Sequence, residues 1–260
     1  MNRLEPAFEL SGQIEMIATD GAGSLFDKGS EDPVIAFQQA FHTVGIEIEV
    51  DTIKEDIGGP KKPHIVIMLQ KEAIRERVLS LYGSDGPQES DVETLYGLFN
   101  DKLLPLLANT SEIEGVKDAA FRLKENGTPL VMTTGYNDEM VDIIRKRLKW
   151  LDEVVGHFVT SSDGPGRPDP FMLQNAREFV GVTDPTLAVK GGDAKLDLEA
   201  PNNDGMPSIM LLSGSVPDVG KAEAIIEEIG RRHLILPSLE NVIDFAIDGT
   251  LREEIRALNI

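Results

Sequence analysis

The sequence IEMIATDGAGSLFD, residues 14–27, is the starting point for both the fold and the site. Its apolar run from Met16 to Ala18 ends just before Asp20, and small, flexible residues follow at 21–24. This pattern predicts a buried parallel strand and its exit loop. Ligands bind at the carboxyl ends of strands in open α/β sheets, and loop N–H groups there can face an anion. Asp20 is therefore a candidate site carboxylate, although an isolated Asp followed by Gly also suits the cap of a turn.

Composition limits the class of protein. The chain has 260 residues, 41% of them hydrophobic, which suits one large domain or one domain with an insert. We find no apolar run long enough to span a bilayer and no basic-then-apolar leader, so we expect a soluble, cytoplasmic protein. The lack of Cys excludes disulfides and thiolate chemistry. The net charge of −20 argues against nucleic acid or an anionic membrane as partner, since both require a basic surface.

The segment after the first strand is predicted to be helical. Ser30, followed by two acidic residues and Pro33, has the pattern of a helix N-terminus. Further helical patterns follow at 52–57, 65–81 and 91–107, with one break at 58–60. The apolar face expected for the middle one consists of Ile67, Met68, Ile74 and Val78. We therefore predict an inserted all-α cap domain over residues 29–107.

From Thr110 onward, helices and strands are predicted to alternate. The helical patterns lie at 115–126, 137–150, 171–179, 221–229 and from 239 onward. The strand patterns lie at 129–133, 157–160, 186–189, 208–212 and 233–236. Such alternation builds a parallel sheet with helices on both faces. We therefore predict an α/β core domain from residues 1–28 and 108–260, preceded by a polar lead-in over 1–13.

Four strand ends carry polar residues that a parallel sheet would bring to one edge. They are Asp20, the segment 133–136, Arg167, and the pair Asp193 and Asp197. A carboxylate can attack phosphorus to form an aspartyl-phosphate, and clustered carboxylates need a hard divalent cation such as Mg²⁺. A hydroxyl, loop N–H groups and one cation can then hold the other phosphoryl oxygens.

These motifs resemble those of the haloacid dehalogenase superfamily of phosphoryl-transfer enzymes and, within it, the phosphonoacetaldehyde hydrolase family. The matching core motifs are Asp20-Gly21-Ala22-Gly23-Ser24, Thr133-Thr134-Gly135-Tyr136, Gly166-Arg167-Pro168-Asp169-Pro170 and Val189-Lys190-Gly191-Gly192-Asp193. The matching cap motif is Gly58-Gly59-Pro60-Lys61-Lys62-Pro63-His64. The resemblance covers nearly the whole chain. Departures from the family pattern lie around the expected substrate, at Gly21, Ile57, Pro63, Ala194 and 201–205.

The resemblance implies a role for each matching residue. Asp20 is the expected nucleophile, Lys61 forms a Schiff base, and His64 shuttles a proton. Phosphate or substrate contacts are expected from Thr133, Thr134, Gly135, Tyr136, Ala22, Gly23 and Arg167. Mg²⁺ is expected on Asp20, the Ala22 carbonyl, Asp193 and, in support, Asp197. The family also tends to form dimers through the cap, so the resemblance implies a homodimer acting on a small phosphonate or phosphate.

Position 22 bears on the reaction. Phosphatases and mutases of the superfamily usually have a second Asp there, a general acid for an oxygen leaving group, and this chain has Ala22. Cleavage of a carbon–phosphorus bond would need no such acid if Lys61 formed an iminium that accepts the electrons. For that, its pKa should be lowered by burial or by a cation such as Lys62. Three hypotheses stay open: hydrolysis of phosphonoacetaldehyde, hydrolysis of another small phosphate or phosphonate, and a non-catalytic protein that binds a phosphorylated ligand or a partner protein.

Overall fold

The computed structural model describes residues 13–231, 233–251 and 253–254, so the predicted polar lead-in, except for Gln13, lies outside the described residues. The strands are β1 Met16–Thr19, β2 Leu130–Thr133, β3 Val155–Val159, β4 Ala188–Gly192, β5 Ser208–Leu211 and β6 Leu234–Leu236. They form one sheet in the order β3-β2-β1-β4-β5-β6, and all neighbouring strands are parallel. The predicted α/β fold with a parallel sheet is confirmed.

The helices of the described chain fall into two groups. Those between β1 and β2 are α1 Glu31–Thr43, α2 Val50–Lys54, α3 Lys61–Leu69, α4 Arg75–Tyr82 and α5 Glu89–Leu107, with α6 Val116–Asn126 leading into β2. The later ones are α7 Asp138–Arg147, α8 Leu151–Val154, α9 Phe171–Val180, α10 Leu196–Asp204, α11 Val219–Ile229 and α12 Leu239–Ile247. We find none among them with both the length and the apolar content needed to cross a lipid bilayer.

Strand β1 is the centre of the core, and its alternate residues pack on opposite faces of the sheet. Ile17 belongs to the large apolar cluster that contains α6, α12 and helices α1–α5, which we call the inserted helices. Met16 and Ala18 belong to the cluster on the other face, with α9. All three are completely buried, which explains why this strand is continuously apolar rather than alternating. Its position places the loop after Thr19 at the middle of the sheet edge.

The inserted helices are built around α5, which packs on α1 and α3. The rings of Phe37 and Phe99 stack there with their centres 4.2 Å apart. The single helix predicted over 65–81 is wrong, because the chain breaks after Leu69 and resumes as α4. The helix α3 also begins earlier, at Lys61, so its buried residues follow the helical spacing Lys61, His64, Ile65, Met68 and Leu69. Ile67, expected on the apolar face, lies on the other side and is 40% exposed.

Several further boundaries differ from the sequence prediction by a few residues, and at two of them the type of structure also differs. Strand β4 begins at Ala188 rather than at residue 186, because Asp184 accepts a hydrogen bond from the Thr186 amide and holds residues 185–187 in a short 3₁₀ turn. The helix predicted over 137–150 ends at Arg147 and is followed by the separate α8. Both differences lie at the amino-terminal side of a strand, away from the edge where the polar loops meet.

Candidate active site

A small cavity lies at the carboxyl ends of β1, β2 and β4, beneath the inserted helices. It contains about 20 Å³ of free space, which is room for roughly one water molecule. Its walls are formed by Asp20, Ala22, Ser30, Pro33, Ile57, Gly58, Lys61, Thr134, Gly135, Tyr136, Arg167, Asp193 and Ala194. The loops predicted to converge therefore do converge, and the inserted helices close the site from above.

Three buried carboxylates cluster at this cavity, and two of them, Asp20 and Asp193, line it. Asp20, Asp193 and Asp197 each offer an oxygen within 4.8 Å of the others. Burial, with smaller contributions from Asp197 and Asp20, raises the pKa of Asp193 to about 6. Burial also raises the pKa of Asp20 above its ordinary value, although Arg167 opposes this. The repulsion among these carboxylates is what a divalent cation relieves.

The residues present fit Mg²⁺ by the chemistry of the donors and by their packing. Carboxylate and carbonyl oxygens are the ligands that Mg²⁺ takes from proteins. Asp20 and Asp193 line the cavity together with Ala22, whose carbonyl would be a further ligand. Two glycines make room for the Asp193 carboxylate: a Cβ atom on Gly23 would lie 2.5 Å from its Cγ, and one on Gly214 would overlap it. Asp193 is thus held in a cradle that a side chain at either position would fill.

Arg167 connects two members of the triad. One terminal nitrogen donates to Asp20 Oδ1 at 3.0 Å, and the other donates to Asp197 Oδ1. Lys190, completely buried, donates to the same Asp197 oxygen at 2.7 Å. Burial acts to raise the pKa of Asp197, but Arg167 and Lys190 together bring it below its ordinary value. Asp197 therefore binds two cationic side chains, Arg167 and Lys190, whereas Asp20 and Asp193 line the cavity itself.

Lys61 brings an amine to the same cavity. It is the first residue of α3, only 7% exposed, and its Nζ lies 4.9 Å from the centre of the Tyr136 ring. Burial lowers the pKa of Lys61 to about 8; Arg167 lowers it further, while Asp20 and Asp193 oppose the shift. The help expected from Lys62 is not seen, because that side chain is exposed and its Nζ lies 2.7 Å from Glu93.

Glycines on the core loops allow the loop before Lys61 to come this close. A Cβ atom on Gly135 would lie 2.5 Å from the carbonyl oxygen of Gly59. A Cβ atom on Gly166 would overlap the ring of Pro60. The approach of the amine to the carboxylates therefore depends on two positions in the core that carry no side chain.

Some of the predicted site residues lie outside the cavity wall. Thr133 is the last residue of β2, and its buried Oγ1 has no hydrogen-bond partner. Gly23 and Asp197 lie behind the wall. Gly23 leaves space for the Asp193 carboxylate, and Asp197 accepts a hydrogen bond from Arg167. Thr134 lines the cavity, and its Oγ1 accepts from the Tyr136 amide at 3.2 Å.

His64 is also absent from the cavity wall. It is 1% exposed, and its Nε2 donates to the Ile53 carbonyl at 3.0 Å, which leaves Nδ1 unprotonated and without a partner. Burial, followed by the charge of Lys61, lowers the pKa of His64 to about 3. The neutral ring packs edge-on against Phe37. Its role as a proton shuttle stays a prediction.

Ser30 has a different use from the one its sequence suggests. Its side chain does not cap α1; instead Oγ donates to Asp193 Oδ2 at 2.9 Å. The cap is Asp27, whose Oδ1 accepts from the Glu31 amide at 3.1 Å and whose Oδ2 accepts from the Asp32 amide at 3.2 Å. Ser30 could cap the helix, but its hydroxyl donates instead to the Asp193 carboxylate, a stronger acceptor that the fold brings near.

Besides Ser30, sequence reasoning missed two groups that act on the triad. Ser215 donates to Asp193 twice, from its amide to Oδ2 at 2.6 Å and from Oγ to the backbone carbonyl at 2.7 Å. Lys190 stands in a matching motif, but the sequence analysis assigns it no role. A lysine within the apolar strand β4 is a usable signal, because a buried charge needs a partner of opposite sign. Ser215 lies in an ordinary polar loop and has no such signal.

Comparison with known proteins agrees with the geometry. Residues 21–203 match the family model of haloacid dehalogenase-like hydrolases. A phosphonoacetaldehyde hydrolase from Latilactobacillus sakei subsp. sakei (strain 23K) is 31% identical over 204 residues, which are 78% of this chain and 77% of that protein. Another from Bacillus cereus (strain G9842) is 31% identical over 219 residues, 84% of this chain and 82% of that protein.

A solved structure shares the fold over nearly the whole chain. The crystal structure of a phosphonoacetaldehyde hydrolase-like protein from Oleispira antarctica superposes with a TM-score of 0.81. The match covers 95% of this chain and 97% of that one at 24% identity. The parallel sheet and the inserted helices are thus common to both. The chain belongs to the haloacid dehalogenase-like hydrolases, in the branch that contains the phosphonoacetaldehyde hydrolases.

Proposed function

We propose that the protein is a Mg²⁺-dependent hydrolase that cleaves the carbon–phosphorus bond of phosphonoacetaldehyde to acetaldehyde and phosphate. One observation carries the proposal: a buried lysine with a lowered pKa shares a cavity with the carboxylate nucleophile, while the position of the usual general acid is Ala22. An amine that condenses with the aldehyde removes the need for that acid. The printed names of the curated relatives agree with this substrate.

The proposed reaction begins at Lys61. Its neutral amine attacks the aldehyde carbon, water leaves, and a protonated imine forms with one proton taken from solvent, which the final hydrolysis returns. Asp20 then attacks phosphorus, the carbon–phosphorus bond breaks, and its electron pair forms the carbon–carbon double bond of an enamine as the imine nitrogen becomes neutral. Protonation of the enamine carbon and hydrolysis release acetaldehyde and Lys61. A second water hydrolyses the aspartyl-phosphate, which releases phosphate and restores Asp20.

The other residues of the cavity bind and orient the phosphoryl group. We assign its oxygens to Arg167, the Thr134 hydroxyl and the Gly135 amide, with Thr133, Tyr136 and Gly23 in support. Asp20, Asp193 and the Ala22 carbonyl would hold Mg²⁺, and Asp197 would anchor Arg167 and Lys190 beside them. When bound, Mg²⁺ offsets the negative charge shared by the carboxylates and the phosphoryl oxygens.

The inserted helices would act as the cap of the site. We propose that residues 29–107 form this cap domain on a core of residues 1–28 and 108–260, and that the protein is a homodimer through the cap. The free space of about 20 Å³ is small for such a substrate, and we propose that the cap moves away from the core to admit it.

The test measures phosphate released from phosphonoacetaldehyde in the presence of Mg²⁺ by wild type, Asp20→Asn and Lys61→Met. The proposal expects release by wild type and a loss of at least about a thousandfold in both variants. Mass spectrometry after reduction with cyanoborohydride should find an ethyl-type adduct on Lys61 in wild type but not in Lys61→Met.

Two other results would point elsewhere. Turnover of phosphate esters that survives Lys61→Met would favour a phosphatase acting on another small substrate. Binding of Mg²⁺ and phosphate without turnover of any of these compounds would favour a non-catalytic protein.

A further inference from the structure

Ser30 joins the start of the inserted helices to the carboxylate triad. Its Oγ donates to Asp193 Oδ2 at 2.9 Å, and the two residues are 163 positions apart in the chain. Both side chains are buried, Ser30 at 3% and Asp193 at 2% exposure. The contact therefore links the turn before α1, residues 27–30, to the loop after β4. We call residues 27–30 the connecting turn.

The connecting turn adopts an unfavourable backbone to make this contact. Asp27 has φ 52° and Ser30 has φ 51°, a left-handed conformation that residues with a Cβ atom seldom adopt. Ser30 also gives up the usual role of a serine before a helix, which Asp27 performs instead. Strain in two of four residues, together with a displaced helix cap, indicates that the hydrogen bond to Asp193 is what the turn is built to make.

The hydrogen bond acts on the orientation of Asp193. Its Oδ2 accepts from two donors, Ser30 Oγ and the Ser215 amide, the latter at 2.6 Å. Two donors on one oxygen fix the rotation of the carboxylate and leave the other oxygen to the cavity. Residues behind a metal ligand commonly act in this way, by orienting the ligating carboxylate.

We infer that Ser30 is a positioning residue for the divalent cation: its hydroxyl sets the Asp193 carboxylate and makes the connecting turn part of the metal site. The inference rests on the proposed function, in which Asp193 is a metal ligand. It extends that function because it ties the first residues of the inserted helices to the metal rather than to the substrate.

The deciding variant is Ser30→Gly. Glycine adopts the left-handed backbone without strain, and the helix cap supplied by Asp27 remains. The affinity for Mn²⁺, measured on the full chain by electron paramagnetic resonance without substrate, should fall about tenfold. The melting temperature of the metal-free protein should change little, because relief of the left-handed strain offsets the lost hydrogen bond. Asp193→Asn sets the reference for loss of the high-affinity site.

Ser238→Gly is the matched control, since Ser238 also precedes a helix but caps it, in a capping box with Asn241. This variant should melt at a lower temperature and bind Mn²⁺ as wild type does. Ser30→Ala repeats the removal of the hydroxyl if Ser30→Gly does not fold. Wild-type affinity in either Ser30 variant would overturn the inference alone. Absence of a Mn²⁺ site from wild type and Asp193→Asn alike would overturn the proposed metal site as well.

Discussion

Arg167 donates to Asp20 Oδ1 at 3.0 Å, so the proposed nucleophile is paired with the cation proposed to bind its target. The same guanidinium holds Asp197 through its other terminal nitrogen. The bridging Arg167, 5% exposed, and the two carboxylates that it joins are all buried. A guanidinium can span two carboxylates in this way because its donors form a rigid planar fork, which an ammonium lacks.

Replacing Arg167 by lysine should therefore lower both catalysis and stability. One ammonium cannot bridge Asp20 and Asp197, so a buried carboxylate loses its partner. We expect phosphate release to fall by about 10²–10³-fold, as for loss of one transition-state donor. The free energy of unfolding should fall by about 3 kcal/mol, as for a broken buried ion pair.

Arg177→Lys is the control for that variant. Arg177 makes a two-pronged contact with Asp204, at 2.9 and 3.0 Å, away from the cavity. This variant should lose stability and keep its rate of phosphate release within about twofold. Equal rates in the two variants, or an unchanged rate in Arg167→Lys, would contradict the role given to Arg167.

The Schiff-base step should depend on pH through Lys61. The reactive form is the neutral amine, and burial lowers the pKa of Lys61 to about 8. The rate of adduct formation should therefore rise about tenfold per pH unit below that value and level off above it. Trapping with cyanoborohydride between pH 6 and 10 measures the profile. Lys62→Met should show the same profile, and a rate that does not change between pH 6.5 and 9 would contradict the assignment.

A side chain at position 166 should slow formation of the Schiff base on Lys61 much more than it weakens phosphate binding. In Gly166→Ala, the new methyl group would overlap Pro60 and push Lys61, the next residue, away from the carboxylates. We expect trapping on Lys61 to slow by about 10–100-fold, since small misplacements of a reacting group are this costly. The affinity for inorganic phosphate should change far less.

Gly97→Ala is the matched control, because the Gly97 position in α5 has open space around it. This variant should keep the trapping rate of wild type and become slightly more stable, since alanine favours a helix. A trapping rate in Gly166→Ala equal to that of Gly97→Ala would show that the close approach of Pro60 has no effect on the amine.

His233 should make stability sensitive to acid. Burial lowers the pKa of His233 to about 4, with Arg231 adding to the effect, and its Nδ1 lies 3.0 Å from Ser208 Oγ. The unfolded chain takes up the proton nearer the ordinary value of 6.5. Between these values the unfolded state binds more protons, so stability is full above pH 6.5 and declines as the pH falls towards 4.

The variant His233→Asn removes this proton uptake. Its loss of stability between pH 7 and 4, measured by denaturant unfolding, should be smaller than that of wild type by about 3 kcal/mol. His42→Asn, at an exposed histidine on α1, should lose as much as wild type. Identical pH dependence in His233→Asn and wild type would show that the buried ring contributes no such linkage.

The sheet, the order of its polar loops and the clustered carboxylates were open to prediction because they depend on local patterns. A run such as 16–18, apolar on both sides, is typical of a buried parallel strand, and neighbouring parallel strands end at one edge. Asp20, Arg167 and Asp193 therefore come together for reasons of topology alone. The inserted helices were equally visible, since no strand pattern interrupts 29–107.

Other features depended on contacts between distant parts of the chain. The local sequence around Ser30 predicts only a helix terminus, and the motif around Lys61 does not show which groups surround its amine. Their roles arise because the fold brings Asp193 within reach of one and encloses the other against Tyr136. The break after Leu69 and the neutral state of His64 also depend on contacts that the local sequence does not show.

The amino-acid sequence by itself determined the parallel sheet, the inserted helices and the set of carboxylates, hydroxyls and cations at the strand ends. Only the tertiary structure decided that Lys61 is buried, that Ser30 binds Asp193 and that Lys190 holds Asp197. The physical reason is that hydrophobic periodicity records which side of an element is buried. The pKa of an amine and the partner of a hydroxyl depend on groups that lie far away in the chain.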